Sequence, residues 1–344
     1  MDEFAETSRL DLAEVDRTLA LFPTRLDSRD RVQLHAELRT EADGPPRLRA
    51  IIENQGDHPR PVILGDLPFE GPNRPVSAFA GGTATGENHS LWLLPTENHA
   101  FFEHPVPVER ASSGVWRATD HPNQGWAETP RQIMVDPGER VVLEYHLLVG
   151  PDEDRLLPGR YRFRGFPGGE TRIPRFDAML AIWETSAPGP SPDGDSRFAG
   201  TTFPPVPLAD ETAWFHDATP ETPVYLRPST ERAQLPAAIE FTLVNRGNRT
   251  LFGNQTRWVL YELVDGVWES RSHHTLVDVG SPLWPGDAQR WRLRARADTV
   301  LPCDPDRPAE PSVGDLAPGT YAFWVEYSPE SCHDGFGAVV ELVE

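Results

Sequence analysis

Proline and glycine set the tightest limit on what this chain can fold into. Its 344 residues include 36 prolines and 27 glycines, spread along the whole length. Proline removes a backbone donor and clashes inside helices, and central strands exclude it. The chain therefore predicts many turns and short elements, and few long helices. The stretches between the turns alternate: Val32, Leu34, Ala36 and Leu38 recur with period two, as a strand with one buried face requires. Ten tryptophans, sixteen phenylalanines and six tyrosines supply enough apolar material for real cores.

Landmarks of this kind occur twice, in the same order. Asn54-Gln55-Gly56 answers Asn245-Arg246-Gly247, and Pro137-Gly138 answers Pro285-Gly286. Leu157-Pro158-Gly159-Arg160-Tyr161 answers Ala317-Pro318-Gly319-Thr320-Tyr321. In the last two pairs Pro-Gly opens a strand-like run. Proline presets φ at the second turn position, and glycine accepts the positive φ that follows. The unequal spacing between landmarks places extra sequence in the first half, at about 65–130. That insertion predicts a short hairpin or lid, because so long a structureless connection is rare in a compact domain.

The expected organisation is an N-terminal segment over 1–24, a first domain over 25–185, a linker over 186–206 and a second domain over 207–344. Leu12, Val15, Leu19 and Phe22 recur every three or four residues, so 11–22 predicts the one short helix, ended by Pro23. The linker is rich in Pro, Gly, Ser and Asp, with little to bury.

Many short strands with Pro-Gly turns predict an all-β fold of two tandem immunoglobulin-like β-sandwiches. The second half, about 210–344, resembles bacterial immunoglobulin-like domains. The resemblance rests on Asn245-Arg246-Gly247, Tyr261-Glu262-Leu263 with Gly266-Val267-Trp268, Pro285-Gly286 and Leu316 to Tyr321. The first half matches through Asn54, Pro137-Gly138 and Leu157 to Tyr161. Intracellular proteinase-inhibitor domains of bacilli look similar, more loosely. These are turn and core residues, so the resemblance implies a fold and no chemistry.

Composition describes the solvent. The chain has 32 arginines, no lysine and 53 acids, a formal charge of −21. At about 1 M salt the Debye length shrinks to about 3 Å, which screens the self-repulsion while hydrated carboxylates keep the chain soluble. The composition looks like that of haloarchaeal proteins. The same charge argues against nucleic acid. The densest basic stretch, Arg290 to Arg296, has strand spacing with its arginines on one face. No segment is apolar for the length of a membrane span. Residues 1–25 carry acids where a signal peptide needs a basic and an apolar region. A cytoplasmic location is the expectation, with an extracellular one as the alternative.

Catalytic signatures are scarce. Without lysine, Schiff-base, Walker-type and Ser-Lys mechanisms are unavailable to the chain, and no Gly-x-Ser-x-Gly elbow occurs. His99, His104 and His121 in the insertion are candidate metal ligands, though they lack a recognised spacing. Cys303 and Cys332 are a candidate disulfide, with two reduced thiols as the alternative. The aromatic residues of the insertion, Trp92, Phe101, Phe102, Trp116 and Trp126, are candidate binding residues, because aromatics concentrate at interface hot spots. A local core beneath the loop is the other explanation for them. The expected function is a noncatalytic binding or scaffold protein with a protein partner, no cofactor, and self-association open. A metal-assisted hydrolase using the insertion histidines and a protease inhibitor are the alternatives.

Overall fold

Alternating apolar residues build an all-β structure of two compact units, residues 1–185 and 186–344. The computed structural model describes residues 9–22, 25–27, 31–41, 43–64, 76–77, 90–101, 107–119, 132–164, 177–186, 189, 192, 194–209, 211–271, 280–295, 312–313, 316–328 and 335–344.

The described strands of the first unit are β1 (Arg9–Leu12), β2 (Arg17–Phe22), β3 (Arg25–Asp27), β4 (Val32–Arg39), β5 (Arg47–Asn54), β6 (Arg60–Ile63), β7 (Val76–Ser77), β8 (Ser90–Pro95), β9 (Val108–Arg110), β10 (Trp116–Ala118), β11 (Gln132–Val135), β12 (Arg140–Val149), β13 (Gly159–Arg164) and β14 (Asp177–Glu184). One sheet runs β1-β2-β14-β13. A larger one is built on β3-β4-β5-β12, with β8, β9 and β10 added beyond β12, and β6 pairs with β11. Period-two alternation turns Leu48, Ala50 and Ile52 of β5 and Leu143, Tyr145 and Leu147 of β12 into the same core as Leu19, Leu21, Leu180 and Ile182 of the other sheet.

The N-terminal helix expected over 11–22 does not form. Residues 9–22 make a hairpin instead: β1, a single 3-10 turn at Ala13–Val15, a reversal at Asp16 with φ 50°, then β2. Both faces of β2 are buried. Leu19 and Leu21 enter the main core, while Ala20 and Phe22 pack with Ala181 and Trp183. An apolar run buried on both sides carries no clean period, so helix and strand cannot be separated by spacing. Pairing with β14, from Arg17↔Glu184 to Phe22↔Met179, decides for strand.

The second unit contains β15 (Thr212–Trp214), β16 (Val224–Pro228), β17 (Arg232–Gln234), β18 (Ala237–Asn245), β19 (Leu251–Val264), β20 (Val267–Ser270), β21 (Ser281–Leu283), β22 (Ala288–Ala295), β23 (Ser312–Val313), β24 (Gly319–Ser328) and β25 (Gly335–Val343). One sheet runs β15-β25-β24-β19-β20 and the other β16-β18-β22-β23. Their facing side chains form the core, with Phe241 stacked on Phe323 at 4.3 Å between centroids. Trp291 and Leu293 of β22 point inward, while Arg290 and Arg292 between and beside them are exposed.

Composition predicts a linker over 186–206, with packing of part of it as the first strand of the second domain as the alternative. Its described part from residue 194 belongs to the second unit and forms no strand before β15. Arg197 N–H donates to Glu231 Oε2 at 2.7 Å, and Val206 is buried beside Tyr261 and Trp324. Phe198, Phe203 and Val206 are the apolar residues that the polar composition masks.

The repeated landmarks make the same bonds in both units. Asn54 Nδ2 donates to His58 O at 2.8 Å and Val135 O at 2.9 Å, and Oδ1 accepts from Gly56 N–H. Asn245 Nδ2 donates to Arg249 O at 2.9 Å and Leu283 O at 3.0 Å, and Oδ1 accepts from Gly247 N–H. Gly138 N–H donates to Asn54 O, and Gly286 N–H to Asn245 O. Gly138 and Gly286 have φ of 74° and 84°, values that disfavour any side chain. Tyr161 and Tyr321 hydroxyls return to Leu157 O and Ala317 O, four residues earlier.

Both asparagines are fully buried, so replacing one leaves the buried bond to Val135 O or Leu283 O unmade. Asn245→Ala is expected to cost about 2–3 kcal/mol, and Tyr321→Phe about 1 kcal/mol. Urea unfolding followed by tryptophan fluorescence measures both.

Candidate binding face of the first unit

The insertion contributes strands to the large sheet. β8 lies antiparallel along β12, from Leu91↔Val149 to Pro95↔Tyr145, and β10 meets the end of β12 at Arg117↔Val149. Alternation sends Leu91 and Leu93 to the main core. Trp92 and Leu94 face the other way, where they cluster with Leu148, Ala118, Val108 and Trp116. Trp92 and Trp116 are half-buried, each keeping part of its ring at the surface. The hairpin of β9 and β10 turns through Gly114 at φ 91°. An ion pair between Arg110 and Glu14 ties it to the 3-10 turn after β1.

A cavity of about 160 Å³ opens where these pieces meet. Leu12, Val15, Val115, Leu147, Val149 and Trp116 form its apolar wall. Asp11, Glu14 and Glu41 add carboxylates to the lining. Each of them is held: Asp11 by Arg9 at 3.1 Å, Glu41 by Arg47 at 3.1 Å, and Glu14 by Arg110. The space is comparable to an engineered cavity of about 150 Å³ that admits benzene, so it suits one apolar side chain or a ligand of that size.

Beside the cavity, the outer face of β4, β5 and β12 carries a charge network. Arg47 pairs with Glu144 at 2.8 Å, Glu41 at 3.1 Å and Glu97 at 3.3 Å. Glu144 Oε1 also accepts from Thr96 Oγ1 and Asn98 Nδ2, both at 2.9 Å. Glu37 pairs with Arg39 and Arg49. Burial works to raise the Glu144 carboxyl. Hydrogen bonds from Asn98, Thr96 and Arg47, with the charge of Arg47, outweigh it and hold the group below its ordinary range. Burial, then the charge of Arg47, pushes the His146 imidazole down, against the opposing pull of Glu97 and Glu144. The network fixes the loop from Thr96 to Phe101 to the sheet.

His99 sits inside that loop. Its Nδ1 accepts the Phe101 N–H at 3.2 Å, and its ring meets Tyr145 edge-on at 4.9 Å. Phe101 packs against the main core. Among the described residues no group of three or more His, Cys, Asp or Glu could hold a metal ion. Phe102, Trp126, His104, His121, Cys303 and Cys332 lie outside the described residues. The structure thus brings Trp92 and Trp116 together, and gives Phe101 and His99 packing roles.

Sequence reasoning passed over Arg47 and Glu144. The available signal was Glu144 itself, an acid inside the apolar run Val141 to Val149. Its partner Arg47 is 97 positions away and carries no local mark.

No family model matches the chain, and no curated protein matches it. Among solved structures it is similar to a polysaccharide lyase, at 10% identity and a TM-score of 0.18, covering 96% of this chain and 35% of that one. It thus spans about a third of the lyase's length. It is also similar to the class 5 fimbriae chaperone CfaA, at 8% identity and a TM-score of 0.24, covering 95% of this chain and 99% of that one. Likenesses this weak carry no inference about fold or activity.

The two shifted groups predict an acid response. A His whose folded pKa lies below its unfolded 6.5 favours folding above pH 6.5, and that contribution is lost as pH falls through the folded value. A carboxyl held below 4.5 adds stability above that pH and loses it further down. The urea midpoint is expected to fall in two stages on acidification, first below about pH 6.5 and again below about 4.5. His146→Gln should flatten the first stage and Glu144→Gln the second.

Proposed function

We propose that the chain is a noncatalytic binding protein adapted to high salt, built from two immunoglobulin-like β-sandwiches. The first unit presents the binding face to a protein partner. The single observation that carries this proposal is the placement of Trp116. It lines the cavity and shares an apolar cluster with Trp92 on strands anchored at the sheet edge. An apolar side chain of a partner would enter the cavity, with the two tryptophans as flanking anchors. Clustered aromatics around a pocket are the usual site of concentrated binding energy.

The immunoglobulin-like assignment is supported by strand partition. β16, β18 and β22 share one sheet of the second unit, and β19, β24 and β25 share the other. Sandwiches of this class divide their strands in the same way and carry a tyrosine hydroxyl bonded back to the upstream backbone, as Tyr161 and Tyr321 do. Among the described residues no helix is long and apolar enough to cross a membrane.

The Trp92→Ala, Trp116→Ala double variant is expected to keep its far-UV circular dichroism and to lose partners retained by the parent in pulldowns from a halophile lysate. Unchanged partners would remove the insertion from the interface. The salt adaptation predicts a higher melting temperature in molar potassium chloride than at about 0.1 M, where the Debye length is about 10 Å. A salt-independent melting temperature contradicts it.

A further inference from the structure

The outer face of the second unit's β19, β24 and β25 is unusually aromatic. Val259, Tyr261, Trp268, Ala322, Trp324 and Val339 form an apolar cluster separate from the main core. Two glycines of β25 make room for it. A Cβ at Gly335 would lie 2.3 Å from the Trp324 ring, and one at Gly337 would lie 2.6 Å from Trp214. Over this face runs an irregular strap, Phe203-Pro204-Pro205-Val206-Pro207.

The strap sits there as a peptide sits in a groove. Phe203 lies among four rings, with centroids 5.2 Å from His216, 5.7 Å from Trp268, 5.8 Å from Phe198 and 6.2 Å from Trp214. The Trp268 indole N–H donates to Pro204 O at 2.8 Å. Val206 is 2% exposed. The strap forms no strand, so it is held by side chains and this indole bond rather than by sheet pairing. Prolines fix φ and lower the entropy lost on docking, which is why aromatic-lined grooves recognise proline-rich segments.

We propose that this face is a docking site for proline-rich peptide segments with an aromatic residue ahead of the prolines, and that residues 203–207 close it in cis. The strap leaves part of the face unsatisfied. Among the described residues the Tyr261 hydroxyl, Trp324 Nε1 and His216 Nδ1 are buried without a hydrogen-bond partner. Burial alone raises the Tyr261 hydroxyl to about 12. A segment that also pairs these groups has an advantage over the strap. It needs one, because a short tether gives the strap an effective concentration of order millimolar. The site belongs to the second unit and does not rest on the binding face proposed for the first.

The test uses the full chain in molar salt and fluorescence anisotropy of a labelled peptide copying residues 198–209. The Phe203→Ala, Val206→Ala variant removes both strap anchors. It is expected to bind the peptide about tenfold or more tightly than the parent, whose own strap competes. A further Trp268→Phe substitution should cancel most of that gain. A peptide carrying Pro204→Ala, Pro205→Ala and Pro207→Ala should bind weakly. A folded released variant that ignores the peptide, or that binds both peptides equally, overturns the proposal. Should the double variant fail to fold, Ser196→Ala loosens the chain ahead of the strap, removing the hydroxyl's bond to Glu231 and the one it accepts from Phe198 N–H. That variant should bind the peptide more tightly than the parent, and no gain overturns the proposal. A parent dimer that excess peptide cannot dissociate assigns the face to a second copy's strap and also overturns it.

Discussion

A fully buried asparagine at the end of a long strand holds each unit's turn system in place. Asn54 and Asn245 each bind two carbonyls on other segments through one side-chain nitrogen, and a backbone N–H two residues on through the oxygen. One residue thus joins the strand's own turn, the following loop and a short neighbouring strand. Gly138 and Gly286 close onto the carbonyls of these same residues. Buried polar groups are costly unless paired, so this arrangement tolerates little displacement of its partners. The register of β12 in the first unit, and of β22 in the second, follows from where that lock sits.

With the inner faces committed to two cores, the outer faces are free to diverge, and they do so in opposite chemical directions. The first unit covers the outer face of β5 and β12 with a charge network centred on Arg47 and Glu144. The second covers the outer face of β19 and β24 with rings. Removing one partner of a buried ion pair costs about 3–5 kcal/mol, whereas replacing the whole pair by apolar groups is often neutral. The network is therefore better understood as fixing where the Thr96 to Phe101 loop sits than as a net source of stability. That loop follows β8, the strand that positions Trp92, so the charges act on the proposed binding face through geometry.

The acidic excess has a different physical role. Among the described residues most ion pairs are exposed or half-exposed, as between Arg271 and Glu262 or Arg257 and Glu326. Such pairs contribute little each, about 0–1 kcal/mol, and salt weakens them further. Concentrated salt also screens the repulsion among unpaired carboxylates, while the buried Arg47–Glu144 pair is screened less. In the concentrated salt proposed for this protein, the cores and the asparagine locks would therefore carry the fold.

Short-range chemistry made much of this structure legible. Period-two alternation marks β4, β5, β12 and β22, because a strand buried on one face must alternate. Asn-x-Gly and the Pro-Gly pairs at 137–138 and 285–286 mark the turns, because φ preferences and side-chain caps act over a few residues. Gly159 and Gly319 instead open β13 and β24 without the positive φ expected of them. The tryptophans at 92 and 116 were visible as candidates for the same reason that they cluster: apolar rings in a polar insertion need cover. Residues 11–22 were misread because burial on both faces erases the period. The Phe203 strap was hidden in a polar, proline-rich stretch. Pairing of Arg47 with Glu144, of Trp116 with the cavity, and of Phe203 with Trp268 needs segments far apart in the chain to meet. Local sequence fixes backbone preference and the inward or outward side of a residue. Only the closed tertiary structure decides which distant outward-facing residues become neighbours.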